Sequence, residues 1–388
     1  AQDAKAKTQA FIDRFSKWYT PAVMVLALAA GLISGDVVLG LTLLVIGCPG
    51  ALVISIPVAI VAGIGRSARN GILIKGGEYL ETSAKISAVA VDKTGTLTEG
   101  RPVLTDIVVL NPEADRREVL RWAAAAEAGS EHPLARPILD TAREEGVAPE
   151  GLPGSVTPVV GKGIVADAHG KRVLIGNVPL LEQYGIVNDA GAAVAANKLA
   201  AAGKTPMIVA VDESVLGVIG VADTIREDAP EMIRRLHASG VEKVVMLTGD
   251  TRLVAEAIGE AVGIDEIHAS LLPEDKLDAV ARLQREGHTV AMVGDGVNDA
   301  PALATADIGV AMGAAGSAVA VETADIALMG DNLLKLPEAI SLAKRTVNVM
   351  RQNIWIALIT VVVLVVGVFA GGVTMAIGML VHEGSVLI

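Results

Sequence analysis

The sequence predicts a parallel α/β domain that is interrupted by an inserted α+β domain and flanked at both ends by transmembrane helices. Short, apolar, β-branched segments precede Asp- and Gly-containing motifs at three places, which is typical of buried strands of a parallel sheet. Helix and strand patterns alternate after residue 222, as in α/β folds. Long apolar stretches occupy both ends of the chain, and each is long enough for two membrane spans.

The composition excludes some classes of protein. The 388 residues suffice for two or three domains, and 52% of them are hydrophobic. The mean hydropathy of +0.53 is too high for a wholly soluble chain, so we expect a lipid membrane to be one partner. The formal charge of -12 argues against nucleic acid as another, and the single cysteine excludes an internal disulfide framework.

The apolar ends are interpreted as paired membrane helices. Residues 1–20 form a polar lead-in, and residues 21–65 are predicted to cross twice, with a turn at Gly35-Asp36. Residues 346–388 are predicted to form two more spans, the last of them truncated. Basic clusters before the first hairpin, directly after it and directly before the second hairpin fall on one side, which the positive-inside rule identifies as the cytoplasm. An integral protein of the plasma (inner) membrane is therefore expected.

The chemistry begins at the first predicted strand, Ile86 to Val91. It leads directly into the octet Val91-Asp92-Lys93-Thr94-Gly95-Thr96-Leu97-Thr98. Ligands of parallel sheets bind beyond the carboxyl ends of the strands, and an aspartate there can form an aspartyl-phosphate. Gly95 permits a tight turn after it. The alternative is an Asp that merely ends a strand.

Two further strand ends supply groups for phosphoryl transfer. One strand ends in Thr248-Gly249-Asp250, and another in Gly294-Asp295-Gly296-Val297-Asn298-Asp299. Such a transfer needs an in-line nucleophile, a cation on the phosphate oxygens and donors for the developing charge. Asp92 can supply the first, and Asp92, Asp295 and Asp299 can hold Mg²⁺, which takes oxygen ligands. Thr248, Gly249 and Lys276 can supply the donors.

These motifs resemble those of the P-type ATPases, which carry a haloacid-dehalogenase-like phosphorylation domain. The resemblance implies ATP and Mg²⁺ as cofactors, with the Thr94 main-chain carbonyl as another magnesium ligand. It implies catalytic roles for Asp92, Lys93, Thr94, Thr248, Gly249, Asp250, Lys276 and Asn298. The expected division is residues 66–102 and 222–345 for the phosphorylation domain and residues 103–221 for an inserted nucleotide-binding domain.

The inserted region carries motifs that resemble the nucleotide-binding domain of heavy-metal P-type ATPases. They are Ser130-Glu131-His132-Pro133 and Gly161-Lys162-Gly163. The resemblance implies that His132 contacts adenine and that Gly161 and Gly163 admit the nucleotide; Glu127 is a further candidate. A lone Gly-x-Gly otherwise indicates a turn. No Walker-type Gly-Lys-Thr loop occurs here, which disfavours a P-loop NTPase.

A site for the transported ion is predicted within the membrane helices. Cys48-Pro49-Gly50 lies where heavy-metal P-type ATPases carry Cys-Pro-Cys or Ser-Pro-Cys, and proline frees a helix carbonyl. Cys48, His382 and Glu383 would suit a divalent cation such as Zn²⁺, Cd²⁺ or Co²⁺. The alternatives are a plain kink at Pro49 and an interfacial, hydrated His382-Glu383 pair.

Thr94 separates two classes of enzyme. Phosphatases of the haloacid dehalogenase group usually carry a second Asp two positions after the nucleophile, as general acid and base. Thr94 lies there instead, so a phosphoenzyme would persist. The sequence therefore favours ATP-driven export of a heavy-metal divalent cation, with a membrane-tethered phosphohydrolase as the alternative. No Thr-Gly-Glu of the family's actuator domain occurs, so we expect the N-terminal part of the protein to be missing.

Overall fold

The computed structural model describes residues 6–48, 50–130, 132, 134–186, 190–295, 299–313 and 322–384. Asn298, Glu131, Pro133 and Pro49, which the sequence singled out, lie outside the described residues. The helices are α1 (Lys7–Ser34), α2 (Val37–Ile46), α3 (Gly50–Arg69), α4 (Gly77–Ser83), α5 (Arg116–Glu127), α6 (Ala135–Glu144), α7 (Val178–Gln183), α8 (Ala190–Ala201), α9 (Ala229–Ala238), α10 (Arg252–Val262), α11 (Pro273–Arg285), α12 (Ala300–Thr305), α13 (Lys335–Phe369) and α14 (Met375–Gly384).

The strands form two separate sheets. They are β1 (Ile72–Ile74), β2 (Ala88–Asp92), β3 (Val103–Val109), β4 (Ser155–Val159), β5 (Gly163–Ala168), β6 (Lys171–Gly176), β7 (Thr205–Val211), β8 (Ser214–Ala222), β9 (Lys243–Leu247), β10 (Glu266–His268), β11 (Val290–Gly294), β12 (Ile308–Ala311) and β13 (Ile326–Leu328). One sheet has the order β1-β13-β12-β11-β2-β9-β10, and the other has the order β3-β8-β7-β6-β5-β4.

The first sheet is parallel apart from β1, and it is buried on both faces. Val89 and Val91 of β2 pack into the core on one face, whereas Ala88 and Ala90 pack into the core on the other. This explains the unbroken apolar runs in the sequence. The predicted parallel α/β domain is confirmed, and its central strands β2, β9 and β11 end at the three motifs identified above.

The second sheet is antiparallel throughout and lies wholly between β2 and β9 in the chain. Helices α5 and α6 pack on one face, and α7 and α8 pack on the other. This α+β unit is therefore an insertion into the parallel sheet, as predicted. Asp223 accepts hydrogen bonds from Thr98 Oγ1 at 2.6 Å and from Arg101 N at 3.0 Å, which ties together the two chain segments that enter and leave it.

The apolar ends form helices, with two differences from the expectation. The turn at Gly35-Asp36 is present, because Gly35 is left-handed and Asp36 caps α2. The second predicted span is broken after Ile46 into α2 and α3, instead of crossing as one helix. Boundaries expected at 20/21 and 345/346 fall inside the continuous helices α1 and α13. Among the described residues, segments 8–34 and 335–369 are long and apolar enough to cross a membrane.

Candidate phosphorylation and nucleotide site

Asp92 occupies the carboxyl end of β2 at the centre of the parallel sheet. Its side chain is buried, with 7% of the residue exposed. The chain then turns sharply through Gly95, whose φ of 72° is a conformation that L side chains rarely adopt. The β2 backbone therefore holds the Asp92 carboxylate at the mouth of the sheet, as the sequence predicted.

Lys276 joins two of the predicted carboxylates. Its Nζ donates to Asp92 Oδ1 at 2.6 Å and to Asp299 Oδ1 at 2.8 Å. Lys276 comes from α11 and Asp299 precedes α12, so three separate chain segments meet at this cation. Both ion pairs are shielded from water, since the Lys276 side chain is 13% exposed and the Asp299 side chain 1%. Because electrostatic interactions are stronger away from water, these ion pairs fix the positions of Asp92, Lys276 and Asp299 relative to one another.

The surroundings of Asp92 raise its pKa to about 6, chiefly because burial disfavours the ionised form. The Asp299 and Asp295 carboxylates act in the same direction, and Lys276 opposes them. For Lys276, burial lowers the pKa, but the Asp92 and Asp299 carboxylates outweigh it and raise the value above its usual range. The Asp92 carboxyl group is therefore ionised at neutral pH. Burial destabilises this ionised form, and a further cation would stabilise it.

The neighbouring strand end supplies a second ion pair. Lys93 Nζ donates to Asp250 Oδ2, and Asp250 N donates to Thr248 Oγ1 at 3.1 Å. Thr248 is itself buried and its backbone N donates to His268 O at 3.0 Å. The octet and the Thr248-Gly249-Asp250 loop are thereby held against each other. The structure thus assembles these predicted catalytic residues at one edge of the sheet.

The carboxylates suit a magnesium ion that keeps several of its waters. Asp295 lies across the turn from Asp92, because a Cβ added at Gly95 would lie 3.3 Å from Asp295 Oδ2. Among the described residues, no three His, Cys, Asp or Glu side chains form a metal-holding group. Mg²⁺ typically uses one or two protein carboxylates plus waters and phosphate oxygens. Asp92, Asp295, Asp299 and the Thr94 carbonyl are the candidate ligands, and Lys276 occupies one oxygen of Asp92 and one of Asp299.

A cleft of about 620 Å³ lies between the inserted unit and the parallel sheet. Five predicted nucleotide residues line it, all of them from the inserted unit, and one of these, Glu127, has a buried, unpartnered Oε2. The predicted residues that line it are Glu127, Ser130, His132, Gly161 and Gly163, and Gly249 and Asp250 line it from the parallel sheet. The cleft therefore connects the predicted nucleotide residues with the Thr248-Gly249-Asp250 loop.

The pKa values of Glu127 and His132, two ionisable groups of the cleft, are shifted toward the neutral forms. Burial raises the pKa of Glu127, and a hydrogen bond with Ser130 opposes this. Partial enclosure lowers the pKa of His132. His132 Nδ1 accepts from Leu134 N at 3.2 Å, so its other ring nitrogen is left to face a ligand. A weakly charged, partly apolar wall of this kind suits an aromatic base.

The two glycines of the cleft play different roles. A Cβ at Gly163 would overlap Ile175 O and Gly176 of the paired strand β6, so this glycine is required by strand pairing. A Cβ at Gly161 would meet nothing within 4 Å, so its side faces open space. Asn177 Nδ2 donates to Gly161 O at 3.0 Å and fixes the loop. Of the two, only Gly161 is free to admit a ligand closely.

The predicted ion site in the membrane helices is not assembled as a three-residue group. Helix α14 packs against α2, where a Cβ at Gly378 would overlap the Ile46 side chain. Cys48 is exposed, two residues beyond the end of α2, while His382 is buried. Within the described part of the chain, Cys48, His382 and Glu383 do not form a metal-holding cluster.

Two residues near the site escaped the sequence interpretation. Arg226 Nε donates to Thr98 O at 3.1 Å, and its guanidinium also pairs with Asp331 at 2.6 Å. Asp223 clamps the entry of the inserted unit, as described above. The only signal in the sequence is the run Asp223-Thr224-Ile225-Arg226 at the return to the parallel sheet, and it does not reveal what these side chains contact.

Comparison with known proteins agrees with this geometry. A family model for haloacid dehalogenase-like hydrolases matches residues 86–307. A cadmium-transporting ATPase of Staphylococcus aureus is 42% identical over 399 residues, covering 100% of this chain and 55% of the relative. A zinc-exporting P-type ATPase of Mycobacterium marinum is 43% identical, covering 91% and 48%. The chain thus spans about half the length of the curated relatives it matches.

Solved structures extend the likeness to three dimensions. A zinc-transporting PIB-type ATPase in its E2.Pi state superposes with a TM-score of 0.75 at 43% identity, covering 97% of this chain and 62% of that one. The catalytic domain of a CPx-ATPase matches 72% of this chain at 27% identity, with a TM-score of 0.54. The chain belongs to the haloacid dehalogenase-like hydrolase family, and its predicted kinship with the heavy-metal P-type ATPases is confirmed.

Proposed function

We propose that this chain is the catalytic core and part of the membrane domain of an ATP-driven exporter of a heavy-metal divalent cation. The observation that carries the proposal is the placement of Asp92, paired with Lys276 at 2.6 Å, beside a cleft that reaches the predicted nucleotide residues. Relatives that transport cadmium, zinc or manganese support the cargo class. The catalytic units would lie in the cytoplasm of an integral plasma-membrane protein.

The proposed reaction is an in-line transfer. An Asp92 carboxylate oxygen attacks the terminal phosphorus of ATP, the bond to the bridging oxygen breaks, and ADP leaves with that electron pair. Lys276 donates to the nucleophile and orients it, and its charge offsets that gathering on the phosphoryl oxygens. Magnesium held by Asp92, Asp295, Asp299 and the Thr94 carbonyl would neutralise the phosphate charge. Thr248 and Gly249 would donate hydrogen bonds, with Asn298 nearby.

The exposed Thr94 favours this function over a phosphohydrolase. It occupies the position of the second catalytic acid of haloacid dehalogenase phosphatases, and a threonine cannot activate the hydrolytic water. The aspartyl-phosphate is therefore expected to last long enough for a conformational change that moves the metal. Glu127, Ser130, Glu131, His132, Pro133 and Gly161 would bind the nucleotide, and Gly163 would shape the adjoining loop through strand pairing. Cys48, His382 and Glu383 would contribute to the ion path.

The test is phosphoenzyme formation by the full-length protein from terminally labelled ATP, with Zn²⁺, Cd²⁺, Co²⁺ and Mn²⁺ compared. We expect an acid-stable, hydroxylamine-sensitive label that depends on one of these metals and is lost in Asp92→Asn. The Asp295→Asn variant, which keeps the nucleophile, should need more magnesium for the same labelling. Hydrolysis of small phosphate esters without any label would instead favour the phosphohydrolase.

A further inference from the structure

A second polar cleft, of about 620 Å³, lies where the parallel sheet domain meets the membrane helices. Its walls come from the end of α3, the end of α9 and the start of α13. Four of its side chains are basic, namely Arg66, Arg235, Lys335 and Arg345, whereas Glu338 is its carboxylate. The net charge of its wall is therefore positive, although the chain as a whole carries -12.

Of these four cations, only Arg235 has an ion pair among the described residues. Arg235 Nε pairs with Glu231 at 2.6 Å, and Lys335 Nζ donates to Met329 O. The Glu338 carboxylate accepts from Asn70 Nδ2. By contrast, neither Arg66 nor Arg345 has an ion pair or side-chain hydrogen bond to any residue that the structure describes. Two exposed guanidinium groups thus line one cleft without a direct anionic partner among the described residues.

Helix packing sets the two arginines at one level. Helices α3 and α13 touch at Gly63, where an added Cβ would lie 2.7 Å from Thr346 Oγ1. Arg66 is one turn beyond Gly63, and Arg345 is adjacent to Thr346, both toward the parallel sheet domain. Because Gly63 admits this close approach, both arginines lie near the helix crossing and line the same cleft.

That level is the edge of the apolar surface. Exposed apolar residues on α3 end at Val61, whereas on α13 the exposed Arg351 and Gln352 separate Val349 from the continuous apolar run that begins at Ile354. With a rise of about 1.5 Å per residue, Arg66 lies roughly 7 Å beyond the end of the apolar band on α3, and Arg345, next to Thr346 at the Gly63 crossing, lies roughly 5 Å beyond the same level. This is the depth at which phospholipid headgroups lie next to a membrane helix.

We propose that this cleft binds the phosphate of an anionic phospholipid headgroup. Arg66 and Arg345 pair with the phosphate oxygens, while Ser239 and Asn332 of the same wall can bond to headgroup hydroxyls. The lipid chains would then run along the exposed apolar side of α3 and α13. The inference rests on the membrane placement in the proposed function but not on the phosphorylation chemistry.

The test is a titration of phosphatidylglycerol into the full-length protein in phosphatidylcholine–detergent micelles, followed by native mass spectrometry. We expect a tight phosphatidylglycerol site whose Kd rises about fivefold for each arginine removed, in Arg66→Gln and in Arg66→Gln/Arg345→Gln. The Arg69→Gln variant removes the same charge from the same helix end, but outside the cleft, and should leave the Kd unchanged. The Arg66→Lys/Arg345→Lys variant keeps the charge and should retain part of the affinity.

Several results would overturn the proposal. Equal loss in Arg69→Gln would mean a diffuse surface charge effect, and unchanged affinity in the double glutamine variant would remove the cleft altogether. Displacement of the lipid by inorganic phosphate alone, at matching concentration, would identify a free-anion site instead. Labelling of Asp92 from ATP in each variant reports folding. If wild-type labelling fails while lipid binding persists, the proposed function falls and the lipid site stands.

Discussion

The phosphorylation site and the nucleotide cleft face each other, yet they are built by different means. At the phosphorylation site, buried charges are paired across separate chain segments, with Lys276 joined to Asp92 and Asp299 at 2.6 and 2.8 Å. In the nucleotide cleft, the residues are held mainly by strand pairing and loop hydrogen bonds such as that of Asn177 to Gly161.

Both sites contain a buried carboxyl group with a raised pKa, and the comparison shows what the difference in design achieves. Asp92 has a cation beside it and stays ionised at neutral pH. Glu127 has only Ser130 to oppose its burial, and one of its oxygens is unpartnered. A charged nucleophile is thereby kept ready at one end, while the other end offers a polar group for a neutral ligand to bond.

The strongest test of this difference is to remove one cation from the phosphorylation site and one from the inserted unit. Lys276→Met leaves the Asp92 and Asp299 carboxylates buried without their cation, and we expect unfolding free energy to fall by about 3–5 kcal/mol. Phosphoenzyme formation should slow by about 100-fold or more. Rapid-quench labelling and chemical denaturation measure the two effects.

The matched control is Lys204→Met in the inserted unit. Lys204 pairs with Asp106 at 2.5 Å, but both side chains are about 30% exposed, so the cost should stay below about 1 kcal/mol. Comparable destabilisation in the two variants would show that the phosphorylation site is not stabilised by its buried charges in the manner described.

A pH titration compares the two buried carboxyls without disturbing the fold. The Asp92 pKa is raised from its model-compound value near 3.8 to about 6, so folding favours the protonated form. Its favourable contribution is therefore complete below the lower value and is lost as pH rises through the higher one, to a total of about 3 kcal/mol. Asp92→Asn should gain stability relative to wild type over that window, in magnesium-free buffer.

Melting temperatures of both proteins at about pH 4 and about pH 7.5 measure the change. Glu127→Gln should show the same sign because burial also raises the Glu127 pKa. A stability difference for Asp92→Asn that stays constant with pH would mean that the carboxyl is not strained by burial.

Two alanine substitutions sharpen the distinction within the nucleotide cleft. Gly163→Ala forces a Cβ against the β6 backbone, so we expect a loss of about 2–3 kcal/mol in stability and weakened ATP binding. Gly161→Ala adds a Cβ in open space at a φ of 70°, which should cost about 1 kcal/mol. Calorimetric ATP binding and thermal melting of both variants decide the order; a larger stability loss in Gly161→Ala would contradict it.

The smallest effect on the catalytic units is expected from Cys48→Ser. Cys48 lies beyond the end of α2, away from both sites, so ATP affinity should be unchanged within about twofold. The metal concentration that half-activates labelling should rise about tenfold or more, since a hydroxyl is a poor ligand for a soft metal. Unchanged metal stimulation would remove Cys48 from the ion path.

Much of the phosphorylation domain could be predicted because its determinants are local. Strands β2, β9 and β11 are short apolar runs rich in valine, and each leads directly into its motif, at Asp92, Thr248 and Gly294 respectively. In a parallel sheet these carboxyl ends meet at one edge, so Asp92, Thr248 and Asp295 had to be neighbours. The turn at Gly35-Asp36 was predictable for the same reason, since glycine and an N-cap aspartate act on their own backbone.

The sequence by itself therefore placed Asp92 and the other motif residues at the strand ends and predicted the insertion of the α+β unit into the parallel sheet. Only the tertiary structure decided which charged side chains form ion pairs, such as Lys276 with Asp299 and Arg226 with Asp331. It also brought Arg66 and Arg345 to the same cleft. It also assigned Gly163 to strand pairing and left Cys48, His382 and Glu383 outside any described metal-holding group. Contacts between residues far apart in the chain depend on how whole elements pack, which local patterns do not encode.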